Sequence, residues 1–309
     1  MTEVDVASSP ARSKPLWRKI VDFPLVAMVI ALVVFMVPIG AFWRLAKAAG
    51  IQNLPGWVDR PFLAIGSAII AFLVVKFIIA RLGDHPRDDL PFDARSKDAV
   101  KGTLIAAGLM TLIVALAFVL GAYDIEGWGG STSWRMLIFS AGIQAAIVEE
   151  IVARGILFRF LEDFGGSWFA LALSSGLFGF GHYSNPNATL FSSIAIAIEA
   201  GVMLGGAYML TRNLWLAIGL HFGWNVTQGY IWDVPVSGNE VDGLVEAQPT
   251  GPEILSGGMF GLEASVIALV LATALGIWFV YRAVQKGEVV RPWWVRRRLA
   301  REEAAALSA

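Results

Sequence analysis

The chain has no cysteine. That excludes disulfides, thiol nucleophiles and cysteine-ligated metal sites, and it leaves the redox compartment open. Histidine is nearly as scarce, with 3 in 309 residues. Charge is sparse as well: Asp, Glu, Lys and Arg make up 16% of the chain, where a soluble domain carries about a quarter. The formal net charge is -1, and the charges are segregated along the chain rather than gathered into a basic surface for nucleic acid. The connections 122–134, 183–189 and 232–258 contain no Lys or Arg. No internal repeat is visible, and with it goes the inverted repeat by which many transporters are read.

Apolar sequence fills the space. The chain is 56% hydrophobic with a mean hydropathy of +0.64, which marks an integral membrane protein. A crossing needs about 20 apolar residues, and the sequence predicts about eight, near 23–43, 61–80, 100–122, 136–160, 167–182, 189–211, 213–231 and 259–282. The first is too long for a signal-peptide core and has no small-residue cleavage site, so it reads as a retained span. Lys and Arg cluster in the N-terminal tail (Arg12, Lys14, Arg18, Lys19), around Arg81 to Lys101, at the Arg159 turn, at Arg212 and in the C-terminal tail. Alternating spans put these on one face, which makes both termini cytoplasmic.

The expected organisation is an all-α membrane protein in one bundle. A basic tail (1–22) precedes a helical domain (23–282), whose central part is about 136–231, and a cytoplasmic tail (283–309) follows. Trp293, Trp294, Arg296, Arg297, Arg298 and Arg301 suit a helix lying at the lipid headgroups. The expected setting is multi-pass in a membrane, the plasma membrane if the source is bacterial.

Polar residues inside the apolar stretches are the informative ones. Glu149, Glu150 and Arg154 fall within one span, where each charge costs roughly 3 kcal/mol on insertion scales. At 100° per residue Glu150 and Arg154 stack and can pair, while Glu149 points elsewhere. Glu149 is thus expected to be a buried acid without a local cation, a better base than an exposed one. Phe178 and His182 are four apart in the fifth stretch, and His221 and Asn225 repeat that spacing in the seventh. Counted at about 1.5 Å per residue from the cytoplasmic ends, Glu149, His221 and His182 lie within a band of about 10 Å, so convergence is possible. Glu199, in the sixth stretch, either partners a site histidine or Arg154 or makes a structural hydrogen bond.

Amide hydrolysis needs a nucleophile, a proton shuttle and donors for the developing oxyanion. A glutamate and a histidine can hold and deprotonate water, and a second histidine with an asparagine can donate to the oxyanion. Other intramembrane chemistries lack their marks. The run Leu173-Ser174-Ser175-Gly176 misses the leading glycine of a rhomboid-type serine motif, the predicted spans carry no aspartate pair, and no His-Glu-x-x-His occurs.

Three motifs in order resemble the CPBP family, the CAAX-protease and bacteriocin-processing (Abi) intramembrane proteases. Glu149, Glu150 and Arg154 match Glu-Glu-x-x-x-Arg, Phe178 and His182 match Phe-x-x-x-His, and His221 and Asn225 match His-x-x-x-Asn, across about 136–231. The resemblance implies an eight-helix fold with a cavity open to the cytoplasm. It also implies Glu149 and His182 as activators of water, and His221 with Asn225 as oxyanion stabilisers, as in type II CAAX prenyl endopeptidases. Glu150, Arg154 and Phe178 would support them. No metal is expected to be required; the alternative is Zn²⁺ held by Glu149, His182 and His221. The implied partners are a peptide or protein substrate and the bilayer. Two other readings stand beside this one: a non-enzymatic scaffold or immunity factor that keeps the cavity, and a proton-coupled transporter using the same buried acids and imidazoles. The acidic 232–258 connection is either a lid or a plain link.

Overall fold

The computed structural model describes residues 14–308, so the Arg12 end of the basic tail lies outside the described residues. The chain is mostly helical. A short surface helix, α1 (Leu16–Val21), leads into α2 (Pro24–Ala48) and α3 (Gly56–Phe77). Pro24 starts α2, where its missing N–H has no helical partner to lose. Next come α4 (Asp98–Val119), a strand β1 (Tyr123–Trp128) and the long helix α5 (Met136–Gly165). Then follow α6 (Ser167–Gly181), α7 (Leu190–Thr211), α8 (Trp215–Val226), strand β2 (Val245–Pro249), α9 (Val266–Gln285) and the tail helix α10 (Trp293–Ser308).

Among the described residues 6 helices are long and apolar enough to cross a membrane: α2, α3, α4, α5, α7 and α9. The fifth predicted stretch is helical and short, with 15 residues in α6; the seventh is helical over the 12 residues of α8 and on through wider π turns at Thr227–Ile231. Helix α6 passes into a tight turn at His182–Ser184. Helix α8 begins late because the segment near 89–91 lies against its start: the Leu214 N–H donates to the Asp89 carbonyl (2.8 Å) and Trp215 Nε1–H to the Pro91 carbonyl (2.8 Å). The last span starts at Val266 rather than near 259. Ser265 caps it by accepting the Ala268 N–H (3.1 Å), and Gly257 and Gly261 (φ 73° and 112°) keep the preceding chain non-helical.

The all-helical reading missed a two-stranded ribbon. β1 and β2 pair antiparallel, from Tyr123 opposite Pro249 to Trp128 opposite Val245, with an irregularity between Ile125 and Gly127. Asp233 pins the ribbon to the end of α8 by accepting the Gly243 (2.7 Å) and Ala247 (3.1 Å) N–H groups. The 232–258 connection is therefore an ordered cap.

Close helix contact sets the position of α8. A Cβ on Gly219 would sit 2.0 Å from the Ala99 carbonyl oxygen, and one on Gly223 2.4 Å from that of Thr103, both on α4. From the α4 side, a Cβ on Gly102 would meet the Leu216 oxygen at 2.5 Å. Small residues at this spacing let two backbones touch in an apolar setting, and α8 is the helix that carries His221 and Asn225.

Candidate active site

Helix α5 is not a uniform α-helix. Wider π turns cover Met136–Gln144 and Ile151–Phe158, with an ordinary α segment, Ala145–Glu150, between them. Such irregular turns recur at functional sites, and here they flank the adjacent acids. Glu150 is fully buried (0% exposed). Its Oε1 accepts from Arg154 Nη1–H (3.0 Å) and from His221 Nδ1–H (2.9 Å). Arg154 Nη2 also donates to the Ala200 carbonyl of α7 (3.2 Å), and its guanidinium lies 4.5 Å over the Phe178 ring. One ion pair thus ties α5, α6, α7 and α8 together. The Glu150–Arg154 pairing was legible in the spacing; the His221 contact was not, because nothing local to either residue announces it.

The same contacts fix the imidazoles. His182 Nδ1 is 2.8 Å from the Phe178 carbonyl, which only accepts, so Nδ1 carries the hydrogen and a neutral ring leaves Nε2 bare. His221 is held the same way by the Glu150 carboxylate. Both bare nitrogens face Glu149, with Oε2 4.0 Å from His182 Nε2 and 4.0 Å from His221 Nε2. Asn225 donates through Nδ2 to the Ala141 carbonyl (2.8 Å) and lines a cavity with both histidines. The predicted site residues come together. Glu149 departs from the buried acid expected: its side chain is 39% exposed, because it points into an open groove while its neighbour takes the interior.

That groove, about 350 Å³, runs along α5 and α6; Met36, Val148, Val152, Leu157 and Leu177 give it apolar walls, and Glu149 and His182 lie in it. Behind the Phe178 and His182 side chains a second, smaller cavity of about 40 Å³ is lined by His182, Glu199, His221, Asn225, Ser237 and Glu263. Glu199 turns out to partner neither Arg154 nor a histidine through a hydrogen bond. Its buried Oε2 has no partner among the described residues. Glu263 escaped the sequence reading although it falls inside the predicted 259–282 stretch, because it belongs to none of the three motifs.

The donor set of two imidazoles and a carboxylate suits zinc in kind but not in placement. Bonds of about 2.0–2.1 Å bring tetrahedral ligand atoms to within about 3.4 Å of one another. The separations here are 4.0 Å, and among the described residues no group of three such side chains is arranged to hold a metal. Hydrogen bonds of about 2.8 Å to one shared water do span that gap.

Fold and site together set an acid, two imidazoles and an amide among apolar helices long enough to cross a membrane. Residues 131–227, the segment that carries all three motifs, match the family model described as Rce1-like: Type II CAAX prenyl endopeptidase Rce1-like. The match bears out the family read from the motifs and, at that level, supports an intramembrane peptidase of the CAAX type. Neither the curated proteins nor the solved structures give a significant match.

Proposed function

We propose that this chain is an intramembrane endopeptidase in which Glu149 and His182 deprotonate a water held between them, while His221 and Asn225 stabilise the oxyanion. One observation carries the reading: a single carboxylate oxygen lies 4.0 Å from Nε2 of two imidazoles that come from different helices. Water bridging that gap gives one proton to Glu149 as its oxygen bonds the peptide carbonyl carbon. The carbonyl π pair moves to oxygen and is met by the free Asn225 N–H and by His221, which takes a proton from solvent before the attack and keeps it through the cycle, presenting Nε2–H while Glu150 holds Nδ1–H. Collapse breaks the C–N bond, and Glu149 returns the proton to the departing amine. No step is routed through a metal. The apolar groove walls receive the hydrophobic flank of the substrate, prenylated or not.

The charge pattern supports eight crossings with both termini cytoplasmic, α6 and α8 being short crossings that start behind polar segments. The inner cavity, closed by Ser237 and Glu263 from the connection without basic residues before α9, then lies toward the opposite face from the basic loops.

The test is cleavage of a quenched peptide library, with farnesylated and unmodified members, by purified protein in nanodiscs. Glu149→Gln is expected to lower kcat by about 10²–10⁴ while leaving the fold intact, the range for loss of a general base, and activity is expected to survive a chelator. Undiminished turnover in Glu149→Gln would reject the assignment of the base.

A further inference from the structure

The mechanism leaves unused the small cavity behind His182. We propose that it is a water compartment, tethered by Glu199 and Glu263, which resupplies the water consumed at each turnover. The proposal rests on the hydrolytic reading above.

Hydrolysis consumes one water per cycle, and the groove is a poor route for its replacement. Its walls are apolar, and a substrate lying in it covers Glu149 from that side. The inner cavity is of mixed character. Two acids, two imidazoles, an amide and a hydroxyl line it beside apolar residues such as Ile196, Met203 and Trp224, and only the Phe178 and His182 rings, which line both spaces, stand between it and the groove. Its volume of about 40 Å³ accommodates about three waters.

The acids are held differently, and the difference defines the tether. Glu263 is fixed: it accepts from Gln228 Nε2–H (2.9 Å), from the Ser237 N–H (3.2 Å) and from Ser237 Oγ–H (2.9 Å). Burial pushes its carboxyl above the usual range. Glu199 is only 1% exposed, and its Oε2 has no protein partner among the described residues. A buried carboxyl oxygen left that way is costly unless something in the cavity bonds to it. Water in the cavity answers that demand. The cap is anchored over this chamber by Asn185 Nδ2–H to the Ser237 carbonyl (3.3 Å) and Asn187 Nδ2–H to that of Gly238 (3.2 Å), so the connection before α9 covers the chamber on that side.

A structure of the full chain in nanodiscs, at a resolution that shows ordered water, reads the compartment directly. The expected density is a small water cluster bonded to Glu199 Oε2. A dry cavity overturns the proposal, and so does an anomalous signal at that position after soaking in rubidium, which would make it a cation site. Kinetics supply the second arm. Glu199→Leu is expected to lower kcat at least tenfold with KM unchanged, because substrate binds in the groove and only water supply suffers. Glu199→Gln keeps a hydrogen-bonding end and is expected to retain most activity; an equal loss in both variants overturns the tether. If the leucine variant does not fold, Ala200→Val narrows the chamber without touching either acid, and is expected to give the same split between kcat and KM. The density is read whether or not any peptide is cleaved, so failure of the hydrolytic reading and failure of this one are separate results.

Discussion

Glu150 and Glu149 are neighbours in sequence, yet one anchors the interior and the other faces a groove. Helical geometry predicted that the two point apart, and it predicted the Arg154 partner, but it expected Glu149 to be buried. What it could not supply was the third member, because the Glu150–His221 bond joins α5 to α8 and depends on how the helices pack. Arg159 teaches the same lesson. It reads as a loop cation, but it is 1% exposed and bonds Asp89 Oδ2 (3.1 Å) and backbone carbonyls including that of Leu82. Arg212 is likewise held, by Glu162 (2.6 Å) and Glu288 (3.1 Å). A buried pair is weak evidence of net stability, but removing one partner strands the other. Arg154→Met is therefore expected to destabilise the fold by about 3–5 kcal/mol, read from unfolding in detergent, whereas Arg154→Met combined with Glu150→Gln is expected to recover part of that loss. A single variant as stable as the parent would mean that Glu150 finds its charge partner elsewhere.

The apolar stretches of the six long helices were visible because composition and length alone define them. The predicted 167–182 and 213–231 stretches are helical over nearly their full length, whereas the contacts that position them, such as the segment near 89–91 against the start of α8, come from distant chain. The glycine contact between α4 and α8 is a further feature of packing rather than of pattern. Gly223→Ala is expected to push α8 away from Thr103, cost about 1–3 kcal/mol as overpacking does, and lower kcat through displaced His221 and Asn225. Thermal unfolding and the cleavage assay check it together; an unchanged melting temperature would show that α4 yields. The ribbon went unread because its strands are only 6 and 5 residues long and pair segments far apart in the chain. Its companion loop has a pH dependence of definite sign. Asp242 accepts from Thr132 Oγ1–H and from the Gly130 and Thr132 N–H groups, and those bonds hold its carboxyl below the ordinary range. A depressed acid contributes at and above the ordinary aspartate range and loses its contribution as pH falls through the lowered value. Protection factors for hydrogen exchange at the Gly130 and Thr132 amides, taken relative to the intrinsic rate at each pH, are expected to hold at mildly acidic pH and to fall only on further acidification; loss of protection already near neutrality contradicts the assignment.

For the molecule as a whole, the decisive quantity is which face the cap presents. Every basic connection except the modest 44–60 segment falls on one side of the predicted spans, and α10 continues the theme: the Arg297 guanidinium lies 4.4 Å over the Trp293 ring, an arrangement suited to a helix at the headgroup level. The cap, which closes the inner cavity and contains no Lys or Arg, belongs on the other side if the charge rule holds. The chain itself makes this easy to measure, because it has no cysteine to remove. Glu240→Cys places a thiol on an exposed position of the cap, and Glu303→Cys places one on an exposed turn of α10. In intact expressing cells a membrane-impermeant maleimide is expected to label the first and to reach the second only after permeabilisation. The reverse pattern would invert the protein. The groove and its substrate would then have to be sought from the opposite compartment, while the distances among Glu149, His182 and His221 would stand unchanged.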